Sequence, residues 1–199
     1  MYAAGAPSYY ILVNFAALAV GSLAAWLIRR MPPPEGQAAG IFTVAVGLTL
    51  LAIALFGPRV NGAARWIRIA GISLQPSLML LPSVLVVFAR HRNWWSSIGL
   101  VFAGLALALQ PDRAMAGTLA AALAVLRLYR SDRFVTVSLA SASCAFAATL
   151  VRSDDVPPVP FVEQVVQSAF AFDTLAGLAI VVALIAMLIP AIIGAVTQR

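Results

Sequence analysis

Two short strings carry most of the chemistry this chain can offer. Gln75-Pro76-Ser77 and Gln110-Pro111-Asp112-Arg113 each stand where an apolar run restarts. Proline suits the first turn of a helix, because its missing N–H needs no partner there. Ser77 and Asp112 can then accept hydrogen bonds from free amides of that turn. Asp112 at a helix mouth, with Arg65, Arg68 and Arg113 as possible partners, reads in two ways. It is either a capping and ion-pair cluster, or a polar pocket in which arginines grip phosphate and a carboxylate orients a hydroxyl. A third string, Asp154-Asp155 through Glu163 to Gln164 and Gln167, reads as a solvated or partner-binding loop edge, or as the source of a general base in Asp155.

The elements that must position these residues are helices in a membrane. The chain of 199 residues is 62% hydrophobic and only 10% charged. Soluble domains carry about 25% charge, and long runs nearly free of charge are read as membrane spans. Those runs are apolar on every face, which leaves no polar stripe for water. The patterning predicts an all-α integral membrane protein with about seven transmembrane helices, near residues 9–28, 38–56, 74–89, 94–109, 111–128, 134–150 and 169–196. The fifth, rich in alanine around Gly117 and Thr118, is expected to pack centrally. Cys144, the sole cysteine, is expected to be a buried, inert thiol. Between the second and third spans, residues 59–71 are too polar to cross. Arg65, Trp66 and Arg68 suit an interfacial hairpin or short amphipathic piece, and also a platform for an anionic lipid-linked phosphate.

Charge sets the orientation. With seven spans and the N-terminus outside, one side holds eight arginines against Glu35 and Asp132, a balance of +6. The other holds five arginines against five acids, a balance of zero. The positive-inside rule then places the C-terminus in the cytoplasm, and both Gln-Pro strings and residues 59–71 on the extracytoplasmic side. His91 lies on the other side beside two arginines, with no ligand partner near it. The arginines sit in small groups between apolar runs, which is topology signalling and not a nucleic-acid footprint. No Gly-rich phosphate loop, HExxH or CxxC occurs, so no metal site or cofactor is expected.

These strings resemble motifs of the polytopic peptidoglycan glycosyltransferases that serve shape, elongation, division and sporulation in bacteria. The family's Gly-Ala-x-Arg-Trp-Ile loop is similar to Gly62-Ala63-Ala64-Arg65-Trp66-Ile67. Its Gln-Pro-Ser-Glu is similar to Gln75-Pro76-Ser77-Leu78, with leucine in place of glutamate. A Gln-Pro-Asp followed by Gly-Thr is matched by Gln110-Pro111-Asp112 and Gly117-Thr118, and a Gln-x-x-Gln-Ser by Gln164-Val165-Val166-Gln167-Ser168. The matches cover about residues 38–175 of a single polytopic domain, residues 1–199. Ala171-Phe172-Asp173-Thr174 departs from the glycine-rich stretch expected there. The later loop that carries the family's proposed catalytic aspartate is expected to be missing.

The resemblance implies a multi-pass protein of the bacterial inner membrane. The resulting expectation is a non-catalytic accessory or scaffold subunit that contacts other integral membrane proteins and anionic or polyprenyl lipids. Arg65, Trp66, Arg68, Gln75, Gln110, Asp112 and Arg113 would form the lipid or phosphate site. Asp154, Asp155, Glu163, Gln164 and Gln167 would form the partner-binding loop. The alternative is a glycosyltransferase acting on undecaprenyl-linked sugars, alone or with a second subunit, with Asp112 or Asp155 as base.

Overall fold

A computed structural model describes residues 9–28, 30, 34–59, 63–69, 72–152, 164–186 and 189. The chain divides into two compact units, residues 32–156 and residues 1–31 with 157–199. Eight helices and two short strands are present among the described residues.

The 32–156 unit contains α2 (Gly36–Phe56), β1 (Ile67–Ile69), β2 (Ile72–Leu74), α3 (Pro76–Arg90), α4 (Trp94–Leu109), α5 (Arg113–Tyr129) and α6 (Arg133–Val151). On α2, Ala39, Thr43, Val46, Gly47, Leu50 and Ala54 are buried, the spacing of one helical stripe. The buried Thr43 hydroxyl donates back to the Ala39 carbonyl at 3.1 Å and the Gly40 carbonyl at 2.9 Å. That stripe meets α4 so closely that a Cβ on Gly47 would stand 2.2 Å from the Gly99 carbonyl oxygen, and one on Gly99 would stand 2.4 Å from that of Thr43. Small residues permit such backbone approach between membrane helices.

The helix directions follow from neighbouring residues. Thr43 lies beside Gly99 and Gly47 beside Phe102, so α2 and α4 run parallel. Ser97 reaches the Phe134 carbonyl and Gly104 lies beside Ala145, so α4 and α6 run parallel as well. Gly117 packs on Phe146, with α5 running the other way. One end of the unit therefore gathers the starts of α3 and α5 with the finish of α4 and α6. The opposite end gathers the turns at 91–93 and 130–132.

The central helix is α4, not α5. Ser96, Ser97, Gly99, Leu100, Ala103, Gly104, Ala106 and Leu107 are all buried on α4, and it packs against α2, α3, α5 and α6. On α5 only Met115, Ala116, Leu119 and Leu123 are buried; Thr118 faces out. Cys144 is likewise exposed, which corrects the expectation of a buried thiol. Where a run is apolar on every side, composition does not reveal which face is covered.

The chain is not wholly helical. Strands β1 and β2 pair antiparallel, with Ile67 opposite Leu74, Arg68 opposite Ser73 and Ile69 opposite Ile72. The strand pair overlaps only the end of the 59–71 stretch for which a hairpin or short amphipathic piece was expected, and residues 60–62 and 70–71 lie outside the described residues. Leu74 belongs to the pair, so α3 begins only at Pro76.

The second unit holds α1 (Tyr9–Ile28), α7 (Val165–Phe172) and α8 (Thr174–Ala186). A single last helix was expected, but Asp173 divides it. Its backbone is extended at φ −162°, and its carboxylate accepts the Ala176 amide at 3.0 Å, so it starts a new helix. Gly177 sits against the Phe170 ring, where a Cβ would come within 2.4 Å.

Among the described residues, two helices, Gly36–Phe56 and Arg133–Val151, are long and apolar enough to cross a membrane. Only 39% and 28% of their most apolar windows are buried in the protein. Leu55, Val137, Leu150 and Val151 are among the large side chains they leave outside. Water would oppose that exposure; hydrocarbon accepts it.

Candidate functional site

The two Gln-Pro strings meet. Gln75, at the N-cap of α3, donates from Nε2 to Asp112 Oδ2 at 2.8 Å and to Ser77 Oγ at 3.2 Å. Asp112 is the N-cap of α5, and its Oδ1 accepts the Met115 amide at 3.2 Å. Its own amide donates to the Leu107 carbonyl at 3.0 Å. Pro76 occupies the first turn of α3 as expected. Pro111 does not do so for α5, which begins two residues later at Arg113. The capping oxygen comes from Asp112 instead, because a carboxylate satisfies a first-turn amide that proline leaves untouched.

The arginines at this end serve the helix termini. The last carbonyls of a helix have no partner within it, and cations are favoured there by the helix dipole. Arg65 donates from Nε to the Gln110 carbonyl at 2.8 Å and from a terminal nitrogen to the Pro111 carbonyl at 2.6 Å. Arg152, arriving from the end of α6, donates to the carbonyls of Ala108 at 3.0 Å and Leu109 at 3.3 Å. Two arginines thus close the end of α4. Arg113 does the same for α6, donating to the carbonyls of Thr149 at 3.1 Å and Arg152 at 2.8 Å.

Burial separates the members of the cluster. Ser77, Gln110, Asp112 and Arg65 are all buried, Asp112 with 4% of its surface left. Gln75 and Trp66 are half-buried, while Arg68 is exposed on β1 and Arg113 at the start of α5. Arg65, Gln110 and Asp112 therefore form one buried polar knot joined by the half-buried Gln75, with Arg113 and Arg152 stapling the neighbouring helix ends. Arg152 and Ser77 belong to this arrangement although neither stood among the expected binding residues. Arg152 is distant in sequence, and nothing in its own neighbourhood points to the end of α4.

Asp154, Asp155 and Glu163 lie outside the described residues. Gln164 is the N-cap of α7 and Gln167 lies on that helix, both exposed; they belong to the second unit. What the knot offers chemically is a fixed carboxylate with donors on both oxygens, below a hairpin that presents Arg68 to the surroundings.

Comparison with known proteins identifies a family. Residues 2–187 match the family described as cell cycle protein, FtsW, RodA and SpoVE. A stretch of 72 residues, 36% of the chain, is 33% identical to the probable peptidoglycan glycosyltransferase FtsW of Acinetobacter baylyi. The matched stretch covers 18% of that relative's length. No solved structure matches the chain.

Proposed function

Because this chain belongs to the FtsW, RodA and SpoVE family of cell cycle proteins, whose members are polytopic inner-membrane proteins with a cell-wall polymerase-like fold, we propose that it serves cell-wall synthesis as a non-catalytic scaffold module. One observation carries the reading. Both oxygens of Asp112 already hold donors, Gln75 Nε2 and the Met115 amide, in a site 4% exposed. A general base needs a carboxylate oxygen within reach of the acceptor hydroxyl it deprotonates. Here the carboxylate organises two helix starts, and Arg65 and Arg113, two of the arginines that would stabilise a departing pyrophosphate, hold backbone carbonyls. The module's role is to hold the β1–β2 hairpin at a fixed height and angle at the membrane surface, for use by lipid or by partner membrane proteins.

The second reading is a glycosyltransferase for undecaprenyl-linked sugars. It is favoured by the printed activity of the Acinetobacter relative and by the exposed Arg68 guanidinium on the hairpin, which can meet a phosphate. The test is polymerisation of a lipid-linked disaccharide by the purified chain, with Asp112→Asn and Arg65→Ala compared for activity and melting. The scaffold reading expects no polymer from any of the three proteins and a lowered melting temperature in both variants. Polymer from the parent chain, abolished by Asp112→Asn without a change in melting, would establish the glycosyltransferase instead.

A further inference from the structure

At the end of the 32–156 unit opposite the knot, we infer a binding surface for the phosphate headgroup of an anionic phospholipid, seated on Arg133 and Arg130. This inference is independent of the role proposed for the knot. Arg133 is exposed, and its guanidinium carbon lies 5.4 Å from the Trp94 ring centroid and 5.0 Å from that of Phe134. The two rings meet edge to face at 5.2 Å and 84°. Aromatic contact holds the guanidinium through its face by cation–π attraction, and the N–H groups at its edge remain to fork onto phosphate oxygens.

Charge at this end is unbalanced. Among the described residues at this end, Arg90, Arg92, Arg127, Arg130 and Arg133 are matched by only Asp132 and Glu35. Asp132 is taken by Arg92 at 2.7 Å and by the Val135 amide at 3.0 Å. The exposed Arg90, Arg130 and Arg133 have no such carboxylate among the described residues.

The surroundings select a lipid over a soluble anion. Leu128, one residue from Arg127, is 83% exposed, and Val125 and Trp95 are exposed as well. Acyl chains cover such side chains, whereas water does not. Basic residues beside exposed tryptophan at the end of an apolar bundle match the headgroup layer of a leaflet rich in anionic lipid. A zwitterionic headgroup carries its own cation and answers this surface less well.

Native mass spectrometry of the detergent-purified chain, offered equimolar phosphatidylglycerol and phosphatidylcholine, tests the site. The parent protein is expected to retain phosphatidylglycerol preferentially. The Arg130→Gln/Arg133→Gln double variant is expected to lose that preference by on the order of tenfold. Trp94→Leu, which keeps every charge, is expected to lose part of it. Both arginines are exposed, and a melting curve equal to the parent's verifies that the double variant is folded. Equal retention of the two lipids by the parent overturns the inference. So does an unchanged preference in the double variant.

Discussion

The two ends of the 32–156 unit use the same residue type in opposite ways. At the knot, Arg65 is buried and, with Arg113 and Arg152, is spent on backbone carbonyls at the ends of α4 and α6. At the other end Arg92 meets a carboxylate in a half-exposed pair, and Arg133 lies on two rings at the surface. Arginine is a staple in the first place and a surface charge in the second. The difference is set by what the helix ends lack. The finish of α4 carries orphan carbonyls inside the protein, where each unmade bond is costly. The starts of α4 and α6 are already capped by Asn93 and Asp132, which leaves the nearby arginines to the outside.

That contrast is broken most directly by Arg65→Ala. It strips the Gln110 carbonyl of its Arg65 donor in a buried site and leaves the Pro111 carbonyl with only the Arg113 amide; unfolding in micelles should show a loss of about 3 kcal/mol. Arg65→Lys should restore only part, because an ammonium cannot reproduce the fork. Next in size, Asp112→Ala removes an N-cap and a charge-assisted bond to Gln75, for about 2 kcal/mol. A double-mutant cycle with Gln75→Ala should return a coupling of about 1 kcal/mol, since the two side chains touch. Additive losses would mean that the two helix starts are not tied.

At the opposite end the effects shrink. Arg92→Ala should cost at most about 1 kcal/mol, as a partly exposed pair does. Partial burial pushes the Asp132 carboxyl upward, but the Val135 amide and then Arg92 outweigh it and hold the group below its ordinary value. A carboxyl lowered in the folded state binds its proton more readily when unfolded. Its contribution is therefore fully present above the ordinary carboxylate value, and it fades as pH falls through that value and then the lowered one. Melting followed across that acid range should show a small decline that Asp132→Asn removes. Smallest of all, Arg133→Gln should leave melting within about 0.5 kcal/mol of the parent.

Local chemistry was readable in the sequence wherever a residue acts on its own neighbourhood. Asp112 as the capping residue, Pro76 in a first turn, and the bounds of α4 at Trp94 and Leu109 all follow from short strings. The meeting of Gln75 with Asp112 was legible in outline, because alternating spans bring both helix starts to one end. The targets of Arg65 and Arg152 were not. A carbonyl at the end of α4 has no sequence signature, and its partners come from 45 and 44 positions away. The break at Asp173 was hidden by apolar residues on both sides of it, and the strands by their length of three residues each. Cys144 and α5 were misplaced for another reason. Hydrophobicity marks the core in water, but in hydrocarbon it marks core and surface alike.

The contact of Gly47 with Gly99 leaves no side chain between the backbones of α2 and α4. Sliding or rotating either helix would drive one carbonyl into the other's chain, so the pair behaves as a single strut. At that contact, relative motion of α2 and α4 is therefore the most restricted in the unit.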